Sequence, residues 1–331
     1  GAILKKILNI LPDSIAGTLI LRGFSAGFRA NGMQVLERDF RELKIEDIEI
    51  FKPDMIFGYD YGFLMSKDED LKNYIKENSE KFRLVHYFAD EPDGKLAYVN
   101  TPQLFDEYKS LNATTFIWDK DFLEVFENSH YLPLAVNANA YKPEIGVPKT
   151  YDISFVGRPL TIKRQEILAA LIKTFGKRVN IFSYERHFLR SLDDMKDTQL
   201  LTEEEMETYK NAYRGFLTTE KELAEVYQSS KINVNITLQG KSSLNYRVFE
   251  IPASCGFLIT DYMDDLEENF EISRDLEAYR DVGDLIDKIK FYLKNPQIAE
   301  RIAINGAIKT AKKHSFTARA NTLLRICGFK V

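Results

Sequence analysis

Three short segments hold residue types whose spacing suits phosphate, diol and proton chemistry. The first runs Tyr151-Asp152-Ile153-Ser154-Phe155-Val156-Gly157-Arg158-Pro159 and continues to Lys163-Arg164. An apolar strand ending at glycine allows close backbone approach to a ligand. Arg158 falls at the strand end, and Lys163 or Arg164 in the first turn of the next helix. A helix N-terminus with two cations forms a diphosphate cradle. The plainer alternative is two surface cations, with Arg158 packed on a linker.

The second segment is Gln239-Gly240-Lys241-Ser242-Ser243-Leu244-Asn245-Tyr246-Arg247-Val248-Phe249-Glu250. It follows an apolar strand ending near Ile236. A helix starting at Ser243 or Asn245 turns its first N–H groups toward an anion. Arg247 and Glu250 share one helix face. They form a surface pair, or the carboxylate accepts from a vicinal diol such as a ribose. Ile251-Pro252-Ala253-Ser254-Cys255-Gly256-Phe257 then returns tightly to a strand.

The third segment, His86-Tyr87-Phe88-Ala89-Asp90-Glu91-Pro92, ends a strand of the first half. Asp90 is the first candidate for a general base and His86 the second. Asp60 and Tyr61 end the preceding strand in the same way. Against this stands a helix cap or turn at Asp90.

The elements that must position these residues alternate along the chain. Strand-like runs are expected at 7–11, 34–36, 55–59, 84–88, 115–118 and 131–135, then at 153–156, 179–182, 232–236 and 257–260. Helix-like segments fall between them, including 19–30, 71–77, 104–111, 163–174, 203–212, 220–228, 246–254 and 285–293. Asn295-Pro296 breaks a helix that resumes over 297–312, and a last helix is expected near 317–326. Continuous apolar strands separated by helices indicate parallel sheets covered on both faces. The fold class is therefore α/β, with two doubly wound domains facing a cleft. Tyr141-Lys142-Pro143-Glu144-Ile145-Gly146-Val147-Pro148 reads as the linker. Expected boundaries are 1–142, joined by a C-terminal helix over about 314–331, and 150–313.

Composition excludes several classes. The chain has 331 residues, 44% hydrophobic and 29% charged, which fits two soluble domains and not a disordered chain. Two cysteines, Cys255 and Cys327, give no disulfide framework and point to a reducing, cytoplasmic setting. No run approaches the length of a membrane-spanning helix. The net charge of −5 argues against nucleic acid as a partner. That charge is uneven: residues 300–331 carry seven basic residues and one acid, leaving −11 on the rest. Such a tail is a solvated helix face, or it docks on an acidic surface or an anionic membrane. The four histidines lack metal-ligand spacing, so no metal site is expected. Walker A, G-x-S-x-G and dinucleotide fingerprints are absent.

Together these segments resemble the CgeB-like, spore-maturation-type glycosyltransferases, which have the GT-B fold. Tyr131-Leu132-Pro133-Leu134-Ala135-Val136-Asn137, ending in Tyr141-Lys142-Pro143, resembles the approach to the interdomain linker. Asp152 to Arg158 resembles the first strand of the donor domain. Asn245-Tyr246-Arg247-Val248-Phe249-Glu250 with Gly256 resembles an Asn-x-Arg-x-Phe-Glu block. Lys312-Lys313-His314-Ser315-Phe316-Thr317-Ala318-Arg319 resembles the C-terminal block.

The resemblance implies a hexosyl transfer from a nucleotide-diphosphate sugar, a uridine diphosphate sugar first, without metal or prosthetic group. Acceptors in view are a glycan, a protein or a lipid-linked molecule. Arg158, Lys163, Arg164, Ser243, Asn245 and Arg247 would hold the diphosphate, with Arg164 competing with Lys163. Glu250 would hold the ribose, and Gly215-Phe216-Leu217 would meet the base. The C-terminal helix would cross back onto the first domain, and its basic residues leave peripheral membrane contact in view. Ser242 stands where many retaining relatives carry a second glutamate, so retaining and inverting chemistry both stay open. A nucleotide-sugar epimerase and a non-catalytic nucleotide- or glycan-binding protein are the rival readings.

Overall fold

The computed structural model describes residues 5–92, 101–237 and 243–331, so Ser242 lies outside the described residues. The chain divides into two compact units, residues 1–135 with 314–331, and residues 136–313.

The first unit is built on a parallel sheet of β1 (Lys6–Leu11), β2 (Gln34–Asp39), β3 (Met55–Tyr59), β4 (Arg83–Phe88), β5 (Ala113–Ile117) and β6 (Ser129–Tyr131), in the order β2-β1-β3-β4-β5-β6. The central strands are largely apolar and buried because helices cover both faces, with Asn9 and His86 among the buried polar exceptions. β2 runs three residues further than the apolar run suggested, through Glu37, Arg38 and Asp39. It is an edge strand, where half-exposed polar side chains are accommodated.

The helix Ile15–Ala30 starts at Ser14, whose Oγ accepts from the Gly17 N–H at 3.1 Å. It buries Leu21, Phe24 and Phe28 on the sheet, and Phe24 and Phe28 both meet Phe57 at 5.2 Å. Its other flank receives the helix Phe316–Ile326. A Cβ at Gly23 would stand 2.5 Å from the Phe316 ring, and one at Gly27 2.5 Å from the Phe316 carbonyl oxygen. Only glycine permits this approach. Arg319, 6% exposed, donates through Nε to the Pro133 carbonyl at 3.0 Å and through Nη2 to the Leu134 carbonyl at 3.0 Å. Its Nη2 also lies 2.7 Å from His314 Nδ1. One residue of the basic tail is thus interior, bound to backbone rather than displayed.

The second unit repeats the plan with β7 (Tyr151–Val156), β8 (Val179–Phe182), β9 (Tyr213–Gly215), β10 (Ser230–Asn235), β11 (Leu258–Asp261) and β12 (Glu277–Tyr279), ordered β12-β11-β10-β7-β8-β9 and all parallel. Its core joins Ile153, Phe155, Ile181, Ile232, Val234 and Ile259 to the apolar faces of the helices. Strand order reverses direction between β7 and β10, the switch point at which open α/β sheets place ligands.

Elements not anticipated include the short edge strands β9 and β12 and the helix Glu185–Thr198. That helix buries only Phe188, Ser191 and Met195, so its apolar stripe is thin. The stretch read as a linker from Tyr141 begins instead inside this unit. Tyr141 ends the short helix Ala138–Tyr141 and is buried.

Candidate functional site

A cavity of about 490 Å³ opens beyond the carboxyl ends of β7, β8 and β9 in the second unit. Gly157, at the end of β7, has φ +156°. A Cβ there would meet Arg164 Nη1 at 3.3 Å and Arg247 Cζ at 3.5 Å, so the missing side chain makes room for two guanidinium groups.

Arg164 enters the structure as a buried cation. The helix Ile162–Phe175 is capped by Thr161 Oγ, which accepts from the Arg164 N–H at 3.2 Å. The Arg164 side chain, 2% exposed, turns inward under the cavity floor. Nε donates to the Ile236 carbonyl at 2.9 Å and Nη1 to the Arg158 carbonyl at 2.8 Å. It therefore shapes the Gly157-Arg158 turn that lines the cavity. Burial, then Arg247 and Arg158, push its pKa down to about 9. Three like charges gathered with no carboxylate in hydrogen-bond contact among the described residues form a site that an anion stabilises.

Lys163 behaves differently. Its Nζ donates to Asp261 Oδ2 at 2.5 Å, and Asp261 also accepts from the Thr237 N–H at 3.2 Å. It does not line the cavity, whereas Arg158 and Arg247 do. Asn245 is the N-cap of the helix Tyr246–Ala253, but its side chain is taken up by Asn235: Asn235 Nδ2 donates to Asn245 Oδ1 at 3.0 Å, and Asn245 Nδ2 returns the bond at 3.2 Å. This exchange ties the helix start to β10. Ser243 is buried just before it and is not a cavity-lining residue.

Glu250 lines the cavity about one turn into the short helix Tyr246–Ala253, and its carboxylate is held from behind. The Tyr227 hydroxyl donates to Oε2 at 3.2 Å, and Tyr141 adds a second side-chain hydrogen bond. Burial raises its pKa, and Arg247 works against that rise. Phe216 and Leu217 both line the cavity after β9, and Phe216 is 53% exposed.

The sequence reasoning missed Tyr184, Arg186 and His187, which follow β8 and line the same cavity. The signal was present: Phe188, Ser191 and Met195 recur at helical spacing just after an apolar strand, which places 184–187 at a strand-to-helix turn. Tyr246, at the first turn of the next helix, also lines the cavity.

In the first unit, His86 is 1% exposed and packed between Phe63 and Tyr108. Its Nδ1 donates to the Asp60 carbonyl oxygen at 2.6 Å, and burial holds its pKa down at about 4. It is enclosed in the core. Asp90 stands at the surface, with its pKa pushed up by partial burial and by Glu91. Asp60 lies beside it with φ +50° and its carboxyl pushed well up by burial and by Asp90.

Among the described residues no three His, Cys, Asp or Glu side chains form a metal-holding group, and no helix is long and apolar enough to cross a membrane.

Residues 163–325 match a family model described as glycosyl transferase-like. No curated protein sequence matches the chain. Among solved structures it resembles sucrose-phosphate synthase from Thermosynechococcus elongatus, at 12% identity and TM-score 0.65, over 98% of both chains. A glycosyltransferase from Rickettsia africae aligns at 12% identity and TM-score 0.64, over 98% of this chain and 97% of that one. Anabaena HepE, solved in complex with UDP-glucose, aligns at 12% identity and TM-score 0.63, over 97% and 99%. The chain thus has the α/β fold of GT-B glycosyltransferases, and over residues 163–325 it is similar to the glycosyl transferase-like family.

Proposed function

We propose that the protein is a glycosyltransferase that binds a nucleotide-diphosphate sugar in the cavity of the second unit. The observation that carries this reading is the convergence of Arg158, Arg164 and Arg247 on Gly157, in the same cavity as Glu250. Arg158 and Arg247 would take the diphosphate directly, and Arg164 would hold the turn and add charge from below. The Glu250 carboxylate, backed by two tyrosine hydroxyls, would accept from a ribose diol. Phe216 and Leu217 would meet the base. A uridine diphosphate sugar is the first donor to test, because HepE is solved with UDP and with UDP-glucose.

Catalysis on this reading comes from stabilising the diphosphate as it departs, where the Arg158 and Arg247 guanidinium groups would face developing charge above the buried Arg164. The first unit would present the acceptor, with Asp90 as the base if configuration inverts. His86, enclosed and neutral, would serve that turn by holding the Asp60 carbonyl. The transferred group would be a hexosyl, and the acceptor a glycan, a protein or a lipid-linked molecule.

Calorimetric titration with UDP and UDP-glucose tests the reading. Binding that is lost in Arg247→Ala and in Glu250→Ala supports it. Unchanged binding in both variants removes the site from consideration.

A further inference from the structure

The cavity end that holds Phe216 carries two polar side chains, Arg186 and His187. The Arg186 guanidinium lies over the Tyr184 ring at 5.3 Å, and His187 is 5.5 Å from the same ring. Tyr184 meets Phe216 edge-on at 5.1 Å. All four side chains line the cavity. Among the described residues neither Arg186 nor His187 makes a side-chain hydrogen bond or ion pair, and His187 Nδ1 is buried without a partner. The acid of that helix turn, Glu185, lines an adjoining open groove and not the cavity. Two aromatic surfaces and two unspent polar groups at one end of a phosphate-binding cavity describe a receptor for a flat heterocycle with a hydrogen-bonding edge.

We infer that Arg186 and His187 read the nucleobase, selecting a base with a carbonyl oxygen over one with an amino group at the same ring position: uracil over cytosine, and guanine over adenine. This rests on the nucleotide-donor reading given above. A guanidinium only donates, so it pairs with a carbonyl oxygen and opposes an amino group. His187 supplies the complement. Burial, then Arg158, Arg186 and Arg190, push its pKa down, so the ring is neutral and keeps one nitrogen lone pair. Uracil and guanine carry a ring N–H next to the carbonyl, which that lone pair accepts. In cytosine and adenine the corresponding ring nitrogen has no hydrogen and is itself an acceptor. The wrong base therefore mismatches at two adjacent atoms, setting donor against donor and acceptor against acceptor.

Calorimetric titration of the full chain with UDP, CDP, GDP and ADP decides it. The expected result is UDP bound at least about tenfold more tightly than CDP, and GDP than ADP. Arg186→Ala should weaken UDP and GDP and bring both ratios toward one. Arg190→Ala, which removes a neighbouring charge outside the cavity lining, should leave the ratios intact. Ratios near one in the unaltered protein overturn the inference, as does an equal loss for all four ligands in Arg186→Ala. Failure to bind any nucleotide diphosphate overturns the donor reading itself, and the base assignment with it. Circular dichroism of each variant confirms that the exposed substitutions leave the fold in place.

Discussion

The Tyr227 hydroxyl and the Glu250 carboxylate are partners across 3.2 Å, the tyrosine fully buried and the glutamate half-buried on the cavity wall. Burial raises the carboxyl pKa, so folding favours its neutral form. Its contribution to stability is then fullest below the ordinary glutamate pKa and is lost as pH rises through the raised value. Glu250→Gln removes that pH-dependent loss. The variant should melt higher than the parent at neutral pH, with the gap shrinking on acidification, at about 2–4 °C for each kcal/mol. Nucleotide affinity should fall at the same time, by about tenfold, because an amide accepts less strongly from a diol than a carboxylate does. Thermal denaturation from pH 4 to 8, paired with titration of UDP, reads both effects. A variant that melts lower throughout would show that the charged form is the one the fold favours.

Gly157→Ala places a methyl group 3.3 Å from Arg164 Nη1 and 3.5 Å from Arg247 Cζ, with Phe155 Cζ at 3.1 Å. The Phe155 ring and the Arg164 guanidinium must give by a few tenths of an ångström, Arg247 stays in ordinary contact, and the φ of +156° strains any side chain placed there. We expect a modest stability loss of about 1–2 kcal/mol. We expect a larger relative loss in UDP affinity, about tenfold or more. Affinity equal to the parent's would remove Gly157 from the binding turn.

Gly27→Val acts at a distance from any ligand. Its first carbon would sit 2.5 Å from the Phe316 carbonyl and 2.9 Å from the Ala320 Cβ, against backbone that cannot swing aside. Overpacking of this kind costs about 1–3 kcal/mol. Proteolysis should cut the helix Phe316–Ile326 sooner, while UDP titration of the second unit is unchanged. An equal loss of nucleotide affinity would mean that the two units do not respond separately.

Asp90→Asn tests the proposed base. If configuration inverts, transfer to acceptor should fall about 10²–10⁴-fold with little change in donor affinity. In the parent the rate should fall as pH drops through a value above the ordinary aspartate pKa, since burial and Glu91 hold the proton on. A pH profile identical in parent and variant would remove Asp90 from the chemistry.

The parts of the fold legible in the sequence were those written in continuous apolar runs. β3, β4, β7 and β8 are interior strands, and each occupies nearly the span that its apolar run implies. β9 and β12 escaped notice because three-residue edge strands leave too short a pattern. The turn that lines the cavity was legible in outline, since a glycine after an apolar strand and an arginine beyond it are local features. Which cation lies at the cavity was not. Arg164 and Lys163 are neighbours in sequence, yet one lies under the cavity and the other pairs with Asp261, and only the tertiary position of Asp261 decides it. Arg186 and His187 were hidden for a related reason. Their helix is mostly polar, and its few buried residues become persuasive only beside the strand they pack on.

The first unit is assembled from residues 1–135 and 314–331, with the second unit entire between them. Synthesis from the N-terminus therefore completes the second unit before the first. Until the last helix emerges, Gly23 and Gly27 face no Phe316, and the Pro133 and Leu134 carbonyls lack the Arg319 guanidinium. The domain begun first on the ribosome is the one closed last, and a nascent chain halted near residue 313 would carry a finished cavity in its second unit and an open apolar groove in its first.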